Sequence, residues 1–222
     1  MRVVVTRAAE GLDRLSSRLR AAGLDAVECP LVRIEPLPHE RVSLGGYQWV
    51  VLTSARAAEI LLERVDGPVP ALAVIGPGTA EAVRERGLEP ALVATRSTQE
   101  GLVSALRSRL VPGDRVLFAG AESARDVIVR ELGAEVLPLY RTVAERPDVF
   151  PHGDLVVLAS PSAARAFASL RVDLPCVTIG PVTSAETRRA GLRVVAEAAS
   201  HDLDGLVEAV RLAVAQLAGM RR

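Results

Sequence analysis

The chain has 222 residues, 49% hydrophobic and 24% charged, a composition that supports a packed core and excludes a disordered chain. Its 27 basic and 27 acidic side chains cancel, so no net field recruits nucleic acid. Every basic residue is Arg and Lys is absent, which excludes Schiff-base chemistry, a pyridoxal lysine and a P-loop lysine.

From the N-terminus, MRVVVTRAAEG reads as a strand rather than a signal peptide. No apolar stretch reaches the roughly 18 residues of a membrane span, so a cytoplasmic protein is expected. Strands are predicted near 2–6, 26–34, 48–53, 71–75 and 90–95, with helices near 9–22, 55–64, 78–86 and 99–109. The second half offers strands near 115–119, 135–143, 154–159, 175–179 and 193–197, helices between them, and a last helix from about 203 to 218. Such alternation predicts an α/β fold of parallel, doubly wound sheets covered by helices on both faces. The Pro-rich stretches EPLPHE and ERPDVFPHG read as linkers. Cys29 and Cys176 lie in separate apolar runs and read as buried thiols.

One phrase occurs twice. Residues 73–88 read AVIGPGTAEAVRERGL and residues 177–192 read VTIGPVTSAETRRAGL. In each, a strand ends at a Gly, Pro77 or Pro181 takes the first helical position, and Gly87 or Gly191 closes the helix. Aligning 75–106 with 179–210 without a gap gives twelve identities in 32 positions. VVLTSARAA further matches VVLASPSAARA, and PLVR matches PLYR, so the chain reads as an internal duplication.

In a doubly wound fold every strand-to-helix turn lies at the carboxyl ends of the strands, where ligands bind. The residues predicted there are Arg7; Thr53, Ser54 and Arg56; Gly76 and Thr79; Thr95, Arg96, Ser97 and Thr98; Ser123 and Arg125; Ser160 and Ser162; Gly180 and Thr183; and Ser200 and His201. Any one Ser or Thr reads equally as a helix N-cap. As a group of hydroxyls, backbone amides and guanidinium groups they predict the lining of a cleft for a polyanion. No paired carboxylates, metal-ligand spacing or nucleophile elbow is present. His39, His152 and His201 read as solvated loop residues.

TRAAEGLDRLSSRLRAAG, PLVRIEPL, VVLTSARAA, IGPGTAEAVRERGL, STQEGL, PLYRTV, SPSAARAF and IGPVTSAETRRAGL, in that order, resemble the uroporphyrinogen-III synthase family from residue 2 to about 210. The resemblance implies cyclisation of a linear tetrapyrrole, hydroxymethylbilane, to uroporphyrinogen III, with loss of water and inversion of the last pyrrole ring. It implies no metal and no organic cofactor. It also implies two α/β domains joined by a two-stranded β ladder, one from residues 1–36 and 147–222 and the other from 39–144, with CPLVRIEPL and LPLYRTVAE as the ladder strands. A monomer is expected, without nucleic-acid or membrane partners, and with room for a transient contact to the preceding pathway enzyme.

The resemblance places the family's proton donor, a ladder tyrosine, at Tyr140; read alone, Tyr140 serves equally as a half-buried core aromatic. Its counterpart in the other copy is Val32. Arg33 and Arg141 also match across the repeat and either bind a carboxylate or line the ladder. Two departures stand out. Val182 replaces a Thr frequent in the later turn, and Ala119-Gly120 replaces an Arg-bearing turn, leaving Arg125 nearby. A non-catalytic two-lobed binding protein for a small anion is the rival expectation.

Overall fold

In the computed structural model, which describes residues 1–38 and 41–219, apolar β-branched runs form strands and the amphipathic stretches between them form helices. The chain begins with β1 (Arg2–Val5), α1 (Ala9–Ala21), β2 (Asp25–Glu28), β3 (Val32–Pro36), β4 (Val42–Ser43), β5 (Trp49–Leu52) and α2 (Ala55–Leu62). It continues with β6 (Val65–Asp66), β7 (Ala71–Val74), α3 (Pro77–Arg84), β8 (Leu92–Val93), α4 (Gln99–Arg107), β9 (Val116–Ala121) and α5 (Val127–Leu132). The remainder is β10 (Glu135–Ala144), β11 (Leu155–Leu158), α6 (Pro161–Ser169), β12 (Cys176–Thr178), α7 (Pro181–Arg189), β13 (Val194–Glu197) and α8 (Leu203–Gly219).

The single strand expected over 26–34 is two. Pro30 has no N–H to donate, and around it Cys29 and Leu31 donate to the carbonyls of Val5 and Thr6 at the end of β1. The two-residue strands β4 and β6 pair in parallel and carry no periodicity from which to predict them.

The chain divides into two compact units, one of Met1–Ile34 with Val143–Arg222 and one of Glu35–Thr142. The first holds a five-stranded sheet in the order β13-β12-β11-β1-β2, parallel throughout. Strand alternation divides its apolar residues between two faces. Val3, Val5, Leu155 and Val157 pack with Leu12, Leu15 and Leu19 of α1 and Leu206 and Val210 of α8. Val4, Val156 and Leu158 pack with Ala163, Ala164 and Phe167 of α6. Both faces are covered, as a parallel sheet requires.

The second unit is built on a six-stranded sheet, β3-β10-β9-β5-β7-β8. From β10 to β8 the neighbours are parallel. β3 runs antiparallel to β10: Leu37 donates to the carbonyl of Leu139, and Glu145 donates to that of Leu31, each at 2.8 Å. β3 and β10 thus pair along the stretches expected of the ladder strands, and β10 also pairs with β9, which makes β3 the edge of this sheet. Val51, Ala73, Val116 and Phe118 pack with Leu102, Val103 and Leu106 of α4 and Ile128 of α5. The intervening Val50, Leu52, Leu72 and Val74, also fully or almost fully buried, point to the opposite face.

Both units share a winding order. β2-β1-β11-β12-β13 is the 2-1-3-4-5 order of a flavodoxin-like sheet. β10-β9-β5-β7-β8 repeats it, with β9 and β10 in the first two places. The point where the winding reverses lies between β1 and β11 in one sheet and between β9 and β5 in the other.

Candidate functional site

In the first unit, β1 and β11 lie side by side and their chains leave for α1 on one face and α6 on the other. Thr6, fully buried, ties the two strands together by donating its hydroxyl to the Val157 carbonyl at 2.8 Å. Arg7 follows on one side of this reversal, with Ser160 and Ser162 on the other. Ser160 caps α6 by accepting from the Ala163 amide at 3.1 Å, and its hydroxyl meets that of Ser162 at 3.0 Å. Arg7 is half-buried and makes no hydrogen bond or ion pair among the described residues. Burial and then the like charge of Arg14 push its guanidinium below the ordinary value. A desolvated cation with no carboxylate is suited to an anion that arrives from outside.

Gly180, one strand further along, caps α7 with extended backbone. His201 lies over it, half-buried rather than solvated as the sequence suggested; His152 is exposed, and His39 is outside the described residues. Thr183 is in the first turn of α7 but only 3% exposed, and its carbonyl accepts from Thr187. Val182, where the resemblance led one to expect Thr, is exposed.

The second unit has the corresponding turn after β5. Ser54 caps α2 by accepting from the Ala57 amide at 3.0 Å. Its hydroxyl also lies 3.0 Å from the phenol oxygen of Tyr140, which β10 carries in beside β9. Tyr140 is 7% exposed. Burial pushes its phenol above the ordinary value, while the Ser54 hydrogen bond and the nearby Arg56 guanidinium pull it back in part. Arg56 pairs with Glu59 at 3.2 Å. Thr53 is half-buried and its hydroxyl faces Gly120 at the end of β9, where an added Cβ would approach it to 3.8 Å. Ala119 is fully buried and Gly120 lies against the Phe118 ring, so neither position has room for a long side chain. Gly76 caps α3 beneath the Ser97 side chain, and Thr79 in the first turn is 4% exposed.

The structure therefore joins Tyr140 to Ser54 and Ser160 to Ser162, and leaves Arg7 unpaired among the described residues. It turns Thr79 and Thr183 inward. Three further candidate arginines hold carboxylates of the chain itself: Arg141 with Glu35 at 2.6 Å, Arg33 with Glu145 at 3.4 Å and Arg125 with Glu100 at 2.5 Å, while Arg96 is exposed. The i, i+3 spacing of Arg56 and Glu59 was available in the sequence as a sign of pairing. The contact of Ser54 with Tyr140, 86 residues apart, had no local signal. Among the described residues no cluster of His, Cys, Asp and Glu is arranged to hold a metal ion, and no helix is long and apolar enough to cross a membrane.

The fold and these turns define a mixed α/β protein with parallel sheets, whose polar groups gather where strands give way to helices. The family model described as uroporphyrinogen-III synthase HemD matches residues 13–208. The chain is 28% identical over 248 residues to the uroporphyrinogen-III synthase of Synechococcus elongatus, covering 94% of this chain and 93% of that protein. It is 29% identical over 241 residues to the chloroplastic uroporphyrinogen-III synthase of Oryza sativa subsp. japonica, covering 94% of this chain and 79% of that protein. Among solved structures, the fold is similar to a mutant uroporphyrinogen III synthase of Thermus thermophilus, with a TM-score of 0.64 and 16% identity over 97% of this chain and 99% of that one. It is also similar to the uroporphyrinogen-III synthetase of Helicobacter pylori, with a TM-score of 0.63 and 17% identity over 96% of this chain and all of that one. The chain belongs to the uroporphyrinogen-III synthase family, enzymes of tetrapyrrole biosynthesis. The match does not favour the rival reading of a non-catalytic anion-binding protein.

Proposed function

We propose that the chain converts hydroxymethylbilane to uroporphyrinogen III, with loss of water and inversion of the last pyrrole ring, as a cytoplasmic monomer without metal or organic cofactor. The observation that carries the catalytic part is the buried Tyr140 phenol, fixed at the capped start of α2. A phenol is protonated at neutral pH and donates to a departing hydroxyl more readily than it accepts. The reacting ends of the substrate need above all to be held in one conformation, which is catalysis by positioning. Arg7, Thr53, Arg56, Ser160, Ser162 and the turns at Gly76–Thr79 and Gly180–Thr183 are read as the groups that receive the substrate carboxylates. A transient contact with the preceding pathway enzyme is compatible with so labile a substrate.

The shared winding order supports the internal duplication. With edge strand β3 set aside, each sheet takes its first two strands from one half of the chain and its last three from the other, so the two compact units are read as two domains that exchange their opening β-α piece. The glycines agree. Gly76 and Gly180, 104 positions apart, each lie beneath a side chain that is likewise 104 apart, Ser97 and His201.

The test is to supply freshly made hydroxymethylbilane and separate the macrocycles by isomer. Uncatalysed closure gives the symmetric type I ring. Type III product supports the proposal, and type I alone at the uncatalysed rate overturns it.

A further inference from the structure

We propose that Ser54 is a positioning residue for Tyr140: its hydroxyl, held by the first turn of α2, donates to the phenol oxygen and leaves the phenol's own proton directed at the departing group. The proposal rests on the reading of Tyr140 as proton donor given above.

A serine hydroxyl has one proton to give and lone pairs to accept with. Ser54 uses an acceptor position on the Ala57 amide at 3.0 Å, with its backbone extended as an N-cap requires. Its proton remains, and the partner in reach is the Tyr140 oxygen at 3.0 Å. If Tyr140 donated to Ser54 instead, the phenol proton would be committed and unable to reach a leaving group. With Ser54 as donor, the phenol proton is free.

The same arrangement matters more as the proton moves. The phenol O–H bond breaks and its proton joins the hydroxymethyl oxygen. The carbon–oxygen bond then breaks with its electron pair, which departs on oxygen as water. The phenolate left behind accepts a charge-assisted hydrogen bond from Ser54, whose oxygen is polarised by a backbone N–H at the positive end of α2. After ring closure, the proton released as the pyrrole regains aromaticity returns to the phenolate. Ser54 had been expected to bind a substrate carboxylate; its two short contacts instead engage it within the protein.

Steady-state rates with hydroxymethylbilane test this in Ser54→Gly, Ser54→Asp, Ser54→Thr and Tyr140→Phe, and in both doubles of Ser54→Gly and Ser54→Asp with Tyr140→Phe. Gly and Asp both serve at an N-cap position, but neither offers a hydroxyl proton, whereas Thr keeps both properties. Expected is a fall in kcat of roughly tenfold for Ser54→Gly and Ser54→Asp, the scale of one hydrogen bond to a charged group, with the KM of Ser54→Gly near wild type. Ser54→Thr should restore kcat, and each double should turn over no more slowly than Tyr140→Phe alone. Equal losses whether or not Tyr140→Phe is also present, or a loss confined to KM, overturn the proposal in favour of a plain cap or a carboxylate contact. Should Ser54→Gly not fold, Ser54→Asp and its double carry the same comparison. Wild-type turnover by Tyr140→Phe is a different result: the reading of Tyr140 fails first, and this proposal with it.

Discussion

Gly180 lies directly beneath the imidazole of His201: a Cβ there would stand 2.7 Å from Cδ2 and 2.8 Å from Nε2. The backbone of Gly180 is extended, so the need for glycine is one of space rather than of dihedral angle. At Gly101 the obstruction is different, because a Cβ would meet the Arg96 carbonyl and stand 2.8 Å from the Arg96 Cβ. A ring can swing aside, whereas a backbone carbonyl cannot move without its turn. Gly180→Ala is therefore expected to stay within about 1 kcal/mol of wild type. Gly101→Ala should cost about 1–3 kcal/mol, the usual range for overpacking. Chemical denaturation of both variants checks the order; equal losses would mean that the turn at Arg96 yields as easily as a side chain.

Much of this fold could be read from the sequence because its signals are local. Pro77 and Pro181 start helices where a missing N–H costs nothing, and runs such as Val50–Leu52 are apolar enough to need cover on both faces. The break at Pro30 and the pairing of β4 with β6 were missed, the first because apolar residues flank the proline and the second because two residues show no period. The candidate site was legible as a set of turns but not as a set of contacts. Gly-Pro-x-Thr locates Thr79 and Thr183 in a first helical turn but does not say that their side chains turn inward. The partners of Arg33 and Arg141 sit across a strand pair, more than a hundred positions away in sequence.

Under the proposed function, Arg7 is a charge read as serving the substrate rather than stability. Its guanidinium is desolvated, stands near Arg14 and has no carboxylate partner among the described residues. Arg7→Gln should therefore melt at or above the wild-type temperature, since a half-buried, partly desolvated charge is removed. The KM for hydroxymethylbilane should rise roughly tenfold, as expected for the loss of one charge-assisted hydrogen bond. Thermal melting and initial rates on the same preparation check both halves. A destabilised variant with unchanged KM would return Arg7 to the scaffold.

Thr79→Ala and Thr183→Ala should each raise KM by less than about threefold, because the backbone amides of the first turn remain as anion donors. The inward-turned hydroxyls reinforce that expectation. Complete loss of activity in a folded Thr79→Ala protein would mark a catalytic role.

Alkaline pH should destabilise the protein through Cys176. Burial pushes its thiol from 9.0 up to about 12, so between those values the unfolded chain releases a proton that the folded chain retains. The sign follows: stability is intact below about pH 9 and falls as pH rises toward 12, by up to about 1.4 kcal/mol per pH unit from this group. Urea unfolding of wild type and Cys176→Ala from about pH 8 to 11 checks it. The variant starts lower, having lost packing, but its curve should be flatter above about pH 9. Parallel curves would show that the thiol ionises equally in both states.

Tyr140→Phe removes the phenol hydroxyl while keeping the ring in its nearly closed site. General-acid help is commonly worth roughly 10²–10⁴ in rate, but this substrate sheds its hydroxyl readily, so a fall of about 10² or less is expected. Type III product should persist, because ring inversion depends on how the substrate is held. The pH dependence adds a second check. Burial raises the phenol above its ordinary value, so the proton stays in place and the alkaline fall in the wild-type rate should come at higher pH than the titration of a free phenol. Tyr140→Phe should lack that alkaline fall. Val32→Ala, at the matching position of the other repeat strand, serves as the control: it is 4% exposed, so it should lose about 1–2 kcal/mol of stability yet keep its turnover. Rates and isomer ratios for the two folded variants decide the matter, and wild-type turnover by Tyr140→Phe would return the tyrosine to the core.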